Sequence, residues 1–302
     1  YSELFTLSGS VIPAVVLPSF LLTLWGSLWT CLYEIQGYKW VSIASTPITV
    51  LGVVMGLLLV FRTNTAYDRY WEGRRLWGTL VTQIRNLSRF VWVGTLVQTE
   101  HHILEKKGCM NLLLAFAFAT KHYLRDEHGS SYNDLHSLLT HLPDFKPGAP
   151  HPNILNMPLE ISYHISSFIA SSRLANLIEA PQESAMMASL SSMIDCLTSF
   201  ERIRNTPIPL AYSIHLKQTL MLYILTIPFQ LVGPLGWGTI PIMFIASFTL
   251  LGIEGIGGEI EDPFGYDEND LPLLEFCDSL REEINKVMTR PSSLDPATWG
   301  AP

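Results

Sequence analysis

The sequence predicts an all-α fold: four transmembrane helices, with a helical cytosolic domain inserted between the second and the third. Three observations carry this. Only 15% of the 302 residues are charged, against about 25% in ordinary soluble domains, while 48% are hydrophobic and the mean hydropathy is +0.25. Four apolar segments stand out along the chain. The polar stretch between the second and third of them follows a helical period, and no β-hairpin pattern competes anywhere.

The first apolar segment, PAVVLPSFLLTLWGSLWTCLY at 13–33, is uncharged and long enough to span a bilayer. The second is built on ITVLGVVMGLLLVF at 48–61. That run alone would rise about 21 Å as a helix, short of the ~30 Å hydrocarbon core. Drawn back through WVSIASTP at 40–47 it reaches full length, with Pro47 where a helix start or kink falls. Six arginines then follow between Arg62 and Arg89. The third segment is TLMLYILTIPFQLV at 219–232 and the fourth WGTIPIMFIASFTLLGIEGIGG at 237–258. The uncharged GPLG between them predicts a tight hairpin, and membrane helices tolerate the internal proline in each.

The arginines after the second segment put that end in the cytosol by the positive-inside rule, and an even number of spans leaves both termini there too. The chain begins at Tyr1 rather than methionine, so it reads as trimmed, and the lack of a signal peptide says nothing. The expected divisions are 1–61 (transmembrane helices 1 and 2), 62–216 (cytosolic helical domain), 217–258 (transmembrane helices 3 and 4) and 259–302 (an acidic cytosolic tail). Within the polar part, LWGTLVTQIRNLSRFVWVGTLV, NLLLAFAFATKHYLR, PLEISYHISSFIASSRLANLIE and AMMASLSSMIDCLTSFERI read as helices with apolar faces. The proline-rich LPDFKPGAPHPN at 142–153 reads as a loop.

The net charge of −8 is local: residues 254–283 hold eleven acids against one base, Arg281, and the remainder is close to neutral. Nucleic-acid binding is disfavoured. Four scattered cysteines without a CxxC pair argue against a disulfide framework or zinc site. No phosphate loop, zincin motif or nucleophile elbow is present, and the nine histidines show no i, i+4 pair, so enzyme chemistry is not expected.

Three features remain. Val53, Leu57 and Phe61 fall at i, i+4 and i+8 on one helical stripe, beside Gly52 and Gly56. Composition alone favours a packing stripe in an ordinary bundle. The alternative is a stripe facing an axis shared by several copies. Arg62, Arg69, Arg74 and Arg75 are either headgroup anchors or, with Asp68 and Glu72, an ion-pair girdle. The acidic GGEIEDPFGYDENDLP at 257–272 carries Glu259, Asp262, Asp267 and Asp270 around a Pro-Phe-Gly turn. Such a loop is usually just solvated, and a calcium site is the alternative because hard cations take six to eight oxygens from a curled loop.

Four stretches resemble the bestrophin family, in particular its bacterial and fungal branch, and the resemblance covers nearly the whole chain. They are GS at 9–10, LGVVMGLLLVFRTNTAYDRYWEGRRLWG at 51–78, ERIRNTPIPLAYSIHLKQTLMLYILTIPF at 201–229 and EIEDPFGYDENDLPL at 259–273. The resemblance implies a homopentameric ion channel with four spans per subunit, whose second helix lines a hydrophobic neck of three rings, here Val53, Leu57 and Phe61. Two of these rings depart from the bulkier Ile/Phe pattern of animal members. It implies a cytosolic aperture near LIEAPQE at 177–183, with Ile178 and Pro181 as the matching positions. It also implies a calcium clasp at Glu259, Asp262, Asp267 and Asp270, two of which stand where animal members have amides, plus a backbone ligand from a segment that would precede Tyr1.

The expectation is therefore a channel for chloride and other monovalent anions, calcium-regulated, with itself and the bilayer as partners, in a plasma or organelle membrane. The alternatives are a cation-conducting homologue and a membrane transporter or scaffold. A transporter should show internal repeats and mid-membrane charge. Glu254 is the one candidate for the latter.

Overall fold

The computed structural model describes residues 6, 8–44, 46–129, 132–145 and 154–291. Among them are nine α-helices and no strand: α1 Ile12–Glu34, α2 Thr46–Arg89, α3 Glu100–Leu124, α4 Asn133–Leu139, α5 Met157–Leu174, α6 Ala180–Asn205, α7 Leu210–Leu235, α8 Thr239–Glu259 and α9 Leu273–Met288. Most of the proline-rich segment expected as a loop, from residue 146 to 153, lies outside the described residues, as do both chain ends.

The chain divides into two units, Tyr1–Trp71 with Thr206–Asp270 and Glu72–Asn205 with Leu271–Pro302. The division falls elsewhere than at 61, 216 and 258. Helix α2 runs through Phe61 without a break, because propagation needs backbone hydrogen bonds rather than apolar side chains. The acidic segment to Asp270 goes with the first unit, and α9 with the second.

Among the described residues, three stretches are long and apolar enough to cross a membrane by length and composition: 12–34, 48–94 and 210–259. The last is a hairpin. A short turn at Gly236–Gly238 separates α7 from α8, and Gly236 adopts φ +53, where a Cβ would also collide with the Glu34 carboxylate. Helix α1 packs on α8 and α7 through Val15, Ser19, Leu22, Gly26 and Thr30, a stripe of mostly small residues. A Cβ on Gly26 would lie 2.8 Å from the Met243 side chain, so the glycine is what lets α8 approach. Leu22, Met55, Leu59, Leu216, Leu220, Ile224, Ile227 and Met243 close the core between these helices. On α1, Leu17, Phe20, Leu21, Leu24 and Leu28 remain exposed, as a lipid-facing side requires.

In the second unit α3 is central. Leu112 through Thr120 are all buried, so this helix is apolar on every side and packs against α4, α5, α6 and α9. Trp77, 1% exposed, stacks against Phe200 and Phe276. Helix α9 buries Leu273, Cys277, Leu280 and Ile284, one face at i, i+4, i+7 and i+11. After Arg89 the backbone widens into a π-turn over Phe90–Gly94. Against this turn lies a buried cation: Lys106, 1% exposed, donates to the Thr95 carbonyl at 3.0 Å and lies 5.6 Å over the Trp92 ring. Burial lowers its pKa to about 8.

Candidate functional site

The first half of α2 has two opposed faces. Ile48, Met55, Leu59, Arg62 and Ala66 are buried against the unit's own helices. Across the helix, Val53 is 72% exposed and Leu57 and Phe61 56% each, with Val50, Val54 and Val60 alongside. No charged residue occurs from 48 to 61, and the exposed line continues past Phe61 as Asn64, Thr65 and Asp68. The spacing therefore places the three expected neck residues together on one face that nothing in their own unit covers. The flanking glycines behave differently from each other. Gly52 takes the Tyr223 hydroxyl, which a Cβ there would meet at 2.6 Å, whereas around Gly56 there is open space.

Immediately after Phe61 the helix turns a cation inward. Arg62, 3% exposed, donates through Nη2 to Glu261 Oε2 at 3.2 Å and through Nη1 to Ser213 Oγ at 3.2 Å, with its Nε 3.7 Å from Glu254 Oε1. Lys217 Nζ approaches the same Glu254 oxygen at 3.5 Å. Glu261 works three ways: its other carboxylate oxygen accepts from the Ile208 N–H at 3.2 Å, and its backbone carbonyl accepts from Arg69 Nε at 3.0 Å. Arg69 also donates to the Thr206 carbonyl. A girdle exists, but its acids come from the end of α8 and the segment beyond, not from Asp68 and Glu72. Asp68 is exposed, and Glu72 pairs with Arg202 in the second unit. Sequence spacing pointed to neighbours along one helix and missed partners nearly two hundred positions away.

The acidic segment makes hydrogen bonds of its own. Glu268 accepts from the Ser8 hydroxyl, Asn269 Nδ2 donates to the Gly9 carbonyl at 3.0 Å, and Asp270 Oδ2 accepts from the Asp267 N–H at 2.8 Å. Asp262 and Asp267 are exposed to solvent, and Glu259 is half-buried at the end of α8. Among the described residues no three His, Cys, Asp or Glu side chains gather in a way that could hold a metal ion. The carboxylates expected for calcium, Glu259, Asp262, Asp267 and Asp270, are strung along the loop rather than turned to one point, so they do not fit a carboxylate cage for a hard cation.

Of the two aperture positions, Ile178 is 3% exposed and belongs to its unit's interior, while Pro181 is exposed in the first turn of α6.

One histidine, His122, sits in a buried polar network that its spacing from the others did not announce. His122 bonds Asp134 at 3.0 Å and also Glu127, and stacks on Tyr132 with centroids 4.1 Å apart; Lys121 reaches the same Asp134 at 2.6 Å. Burial pulls the Asp134 carboxyl upward, yet the hydrogen bonds from Lys121 and His122 outweigh it and hold the pKa below the usual value. Every member is paired with another, which ties the start of α4 to α3. No nucleophile lies among them.

The sequence profile of the Bacterial/Fungal Bestrophin protein family matches residues 1–286. A voltage-dependent anion channel-forming protein of Nostoc sp. is 42% identical over 295 residues, 97% of this chain and 91% of that protein. One of the same description from Synechocystis sp. is 43% identical over 283 residues, covering 94% and 90%. Crystal structures of point mutants of a bacterial bestrophin homolog from Klebsiella pneumoniae superpose with TM-scores of 0.78 and 0.76, at 25% and 26% identity, over 92% and 93% of this chain and the whole of theirs. Family match, relatives and fold agree, and they point to a membrane channel rather than an enzyme: the chain belongs to the bestrophin family, in its bacterial and fungal branch.

Proposed function

We propose that this bestrophin assembles as a homopentamer whose five α2 helices bring Val53, Leu57 and Phe61 together as three rings of a hydrophobic neck conducting chloride and other monovalent anions. The observation that carries the reading is the apolar stripe on α2, uncovered by its own unit and backed by a fully packed opposite face. The description of its relatives as anion channel-forming proteins supports the sign of the permeant ion.

A ring of apolar side chains holds no fixed charge, so an ion crosses it by shedding water and the neck closes by dewetting. Large, weakly hydrated anions lose least and cross most readily. Phe61, the last ring, offers the positive edges of its aromatic quadrupole to an anion. Asn64, Thr65 and Asp68 then return the ion to a polar surface. Pro181 is the exposed position for a second constriction, and the arginines in the second half of α2 orient the chain with both termini in the cytosol.

Reversal potentials in planar bilayers under asymmetric chloride test this directly. We expect a shift toward the chloride equilibrium potential, and altered conductance or gating in Leu57→Ala and Phe61→Ala. A reversal potential that follows the cation gradient would make the protein a cation channel. Currents unchanged in both variants would remove the neck assignment.

A further inference from the structure

The buried and exposed stripes of α2 hold adjacent residues, Arg62 and Phe61, where the apolar run ends. Successive residues on a helix lie about 100° apart around its axis, so the direction of one fixes that of the other. Above this point the helix is held mainly by apolar packing, with Met55 and Leu59 in the core, and its hydrogen bonds to α7, from Tyr212 Oη to the Leu58 carbonyl and from Gln230 Nε2 to Thr49 Oγ1, are long at 3.4 Å each. Apolar contacts are non-directional, and a helix can turn among them at little cost. At Arg62 the holding becomes directional. The guanidinium is a planar fork, and its three nitrogens face Glu254 on α8, Glu261 beyond α8 and Ser213 on α7. Its stem lies on Gly257, where a Cβ would contact Arg62 Cγ at 3.5 Å. Glu261 is in turn pinned by the Ile208 N–H and, through its carbonyl, by Arg69 two turns further along α2.

We propose that Arg62 and Glu261 form a positioning pair that sets the rotation of α2 about its own axis, and so holds Phe61 and Leu57 on the exposed face. This rests on the neck reading for its functional meaning, but not for its geometry. Arg62 does not touch the conducted ion; it acts through the helix. The pair also places the neck under the control of the acidic segment, since residues 261–270 are anchored to Ser8 and Gly9 by Glu268 and Asn269. Removing Glu261 leaves the buried Arg62 with only the longer Glu254 contact at 3.7 Å to balance its charge, so α2 must either turn or admit water.

The test uses the full chain in detergent and in bilayers. Single cysteines are introduced at Leu59 or Met55 on the buried face and at Leu57 on the exposed face, and their rates of reaction with a charged, water-soluble thiosulfonate are measured. With Arg62 and Glu261 intact we expect Leu57→Cys to react fast and Leu59→Cys and Met55→Cys slowly. Adding Glu261→Gln should speed the buried-face cysteines by roughly tenfold or more, since loss of one charge of a buried pair biases a two-state equilibrium by at least that much. With Glu261 intact, Arg62→Lys, which keeps the charge but not the fork, should give buried-face rates between those of the unaltered pair and of Arg62→Gln, a grading that mere loss of packing would not give. In bilayers Glu261→Gln should change the fraction of time open while leaving the unitary conductance, set by the rings, unaltered.

Unchanged rates in Glu261→Gln overturn the proposal. If Glu261→Gln fails to assemble, Arg62→Gln is read in its place, and unchanged rates there overturn it equally. A wild-type chain that carries no current but still shows the rate change would sink the channel reading and leave the positioning pair standing.

Discussion

Replacing Lys106 by methionine should stabilise the protein at neutral pH and destabilise it in strong alkali. The folded-state pKa is lowered to about 8 against an ordinary 10.5. Below pH 8 both folded and unfolded states carry the proton, and the folded state bears the whole cost of the buried charge. Between 8 and 10.5 the unfolded chain still holds a proton that the folded one has released, so stability rises with pH. Above 10.5 both are neutral and the rise stops. The interval corresponds to about 3 kcal/mol. Methionine removes that cost but leaves the Thr95 carbonyl without its donor and the Trp92 ring without its cation, a loss of about 1 kcal/mol. The variant should thus lead by about 2 kcal/mol at pH 7, a few degrees in melting temperature, and fall behind above pH ~9.5. Melting midpoints followed by tryptophan fluorescence from pH 7 to 11, taken as the difference between the two proteins, measure this. Curves that run parallel over the whole range would mean that Lys106 is not paying a burial cost, and the argument would fail.

Trp77→Ala should cost about 3–5 kcal/mol, because a buried indole packed on Phe200 and Phe276 leaves a cavity that rigid helices cannot close; thermal melting reads it. Gly52→Ala should lower the melting temperature by pushing on the Tyr223 hydroxyl, and Tyr223→Phe in the same chain should restore most of the loss. Chelation with EGTA should leave the melting temperature unchanged, since hydrogen bonds to Ser8 and Gly9 and the Arg62–Glu261 pair hold the acidic segment; a fall that calcium reverses would reinstate the clasp. Light scattering of the detergent-solubilised protein should give a protein mass near five times 33.9 kDa, and a monomer would end the neck proposal.

What the sequence made legible was whatever depended on apolar length or period. Helix α1 and the α7–α8 hairpin follow from uninterrupted hydrophobic runs, and the face shared by Val53, Leu57 and Phe61 follows from 3.6 residues per turn. The second half of α2 was assigned to another division because hydropathy falls after Phe61, although backbone hydrogen bonding carries on unaffected. Helix α9 was read as part of an acidic tail; its charge masked the spacing of Leu273, Cys277, Leu280 and Ile284, which was there to be seen. The stop of α5 at Leu174 was missed because Asn176 takes φ +55, a left-handed turn that asparagine tolerates but does not advertise. The burial of Arg62 was beyond reach, since its partners Glu254, Glu261 and Ser213 are brought to it only by the packing of α7 and α8.

The cysteines bear on how this protein meets oxidants. Cys109, Cys196 and Cys277 are free and buried, and burial pushes all three thiols up, Cys196 to about 11 and Cys277 to about 12. The thiolate is the form that peroxide attacks and that exchanges with glutathione, and burial leaves these three with little of it at cellular pH. Cys31, half-buried in α1, is surrounded by apolar helix rather than by basic groups. Of the four thiols, the three buried ones are thus the least reactive toward oxidants, and Cys31 is the one with access to its surroundings.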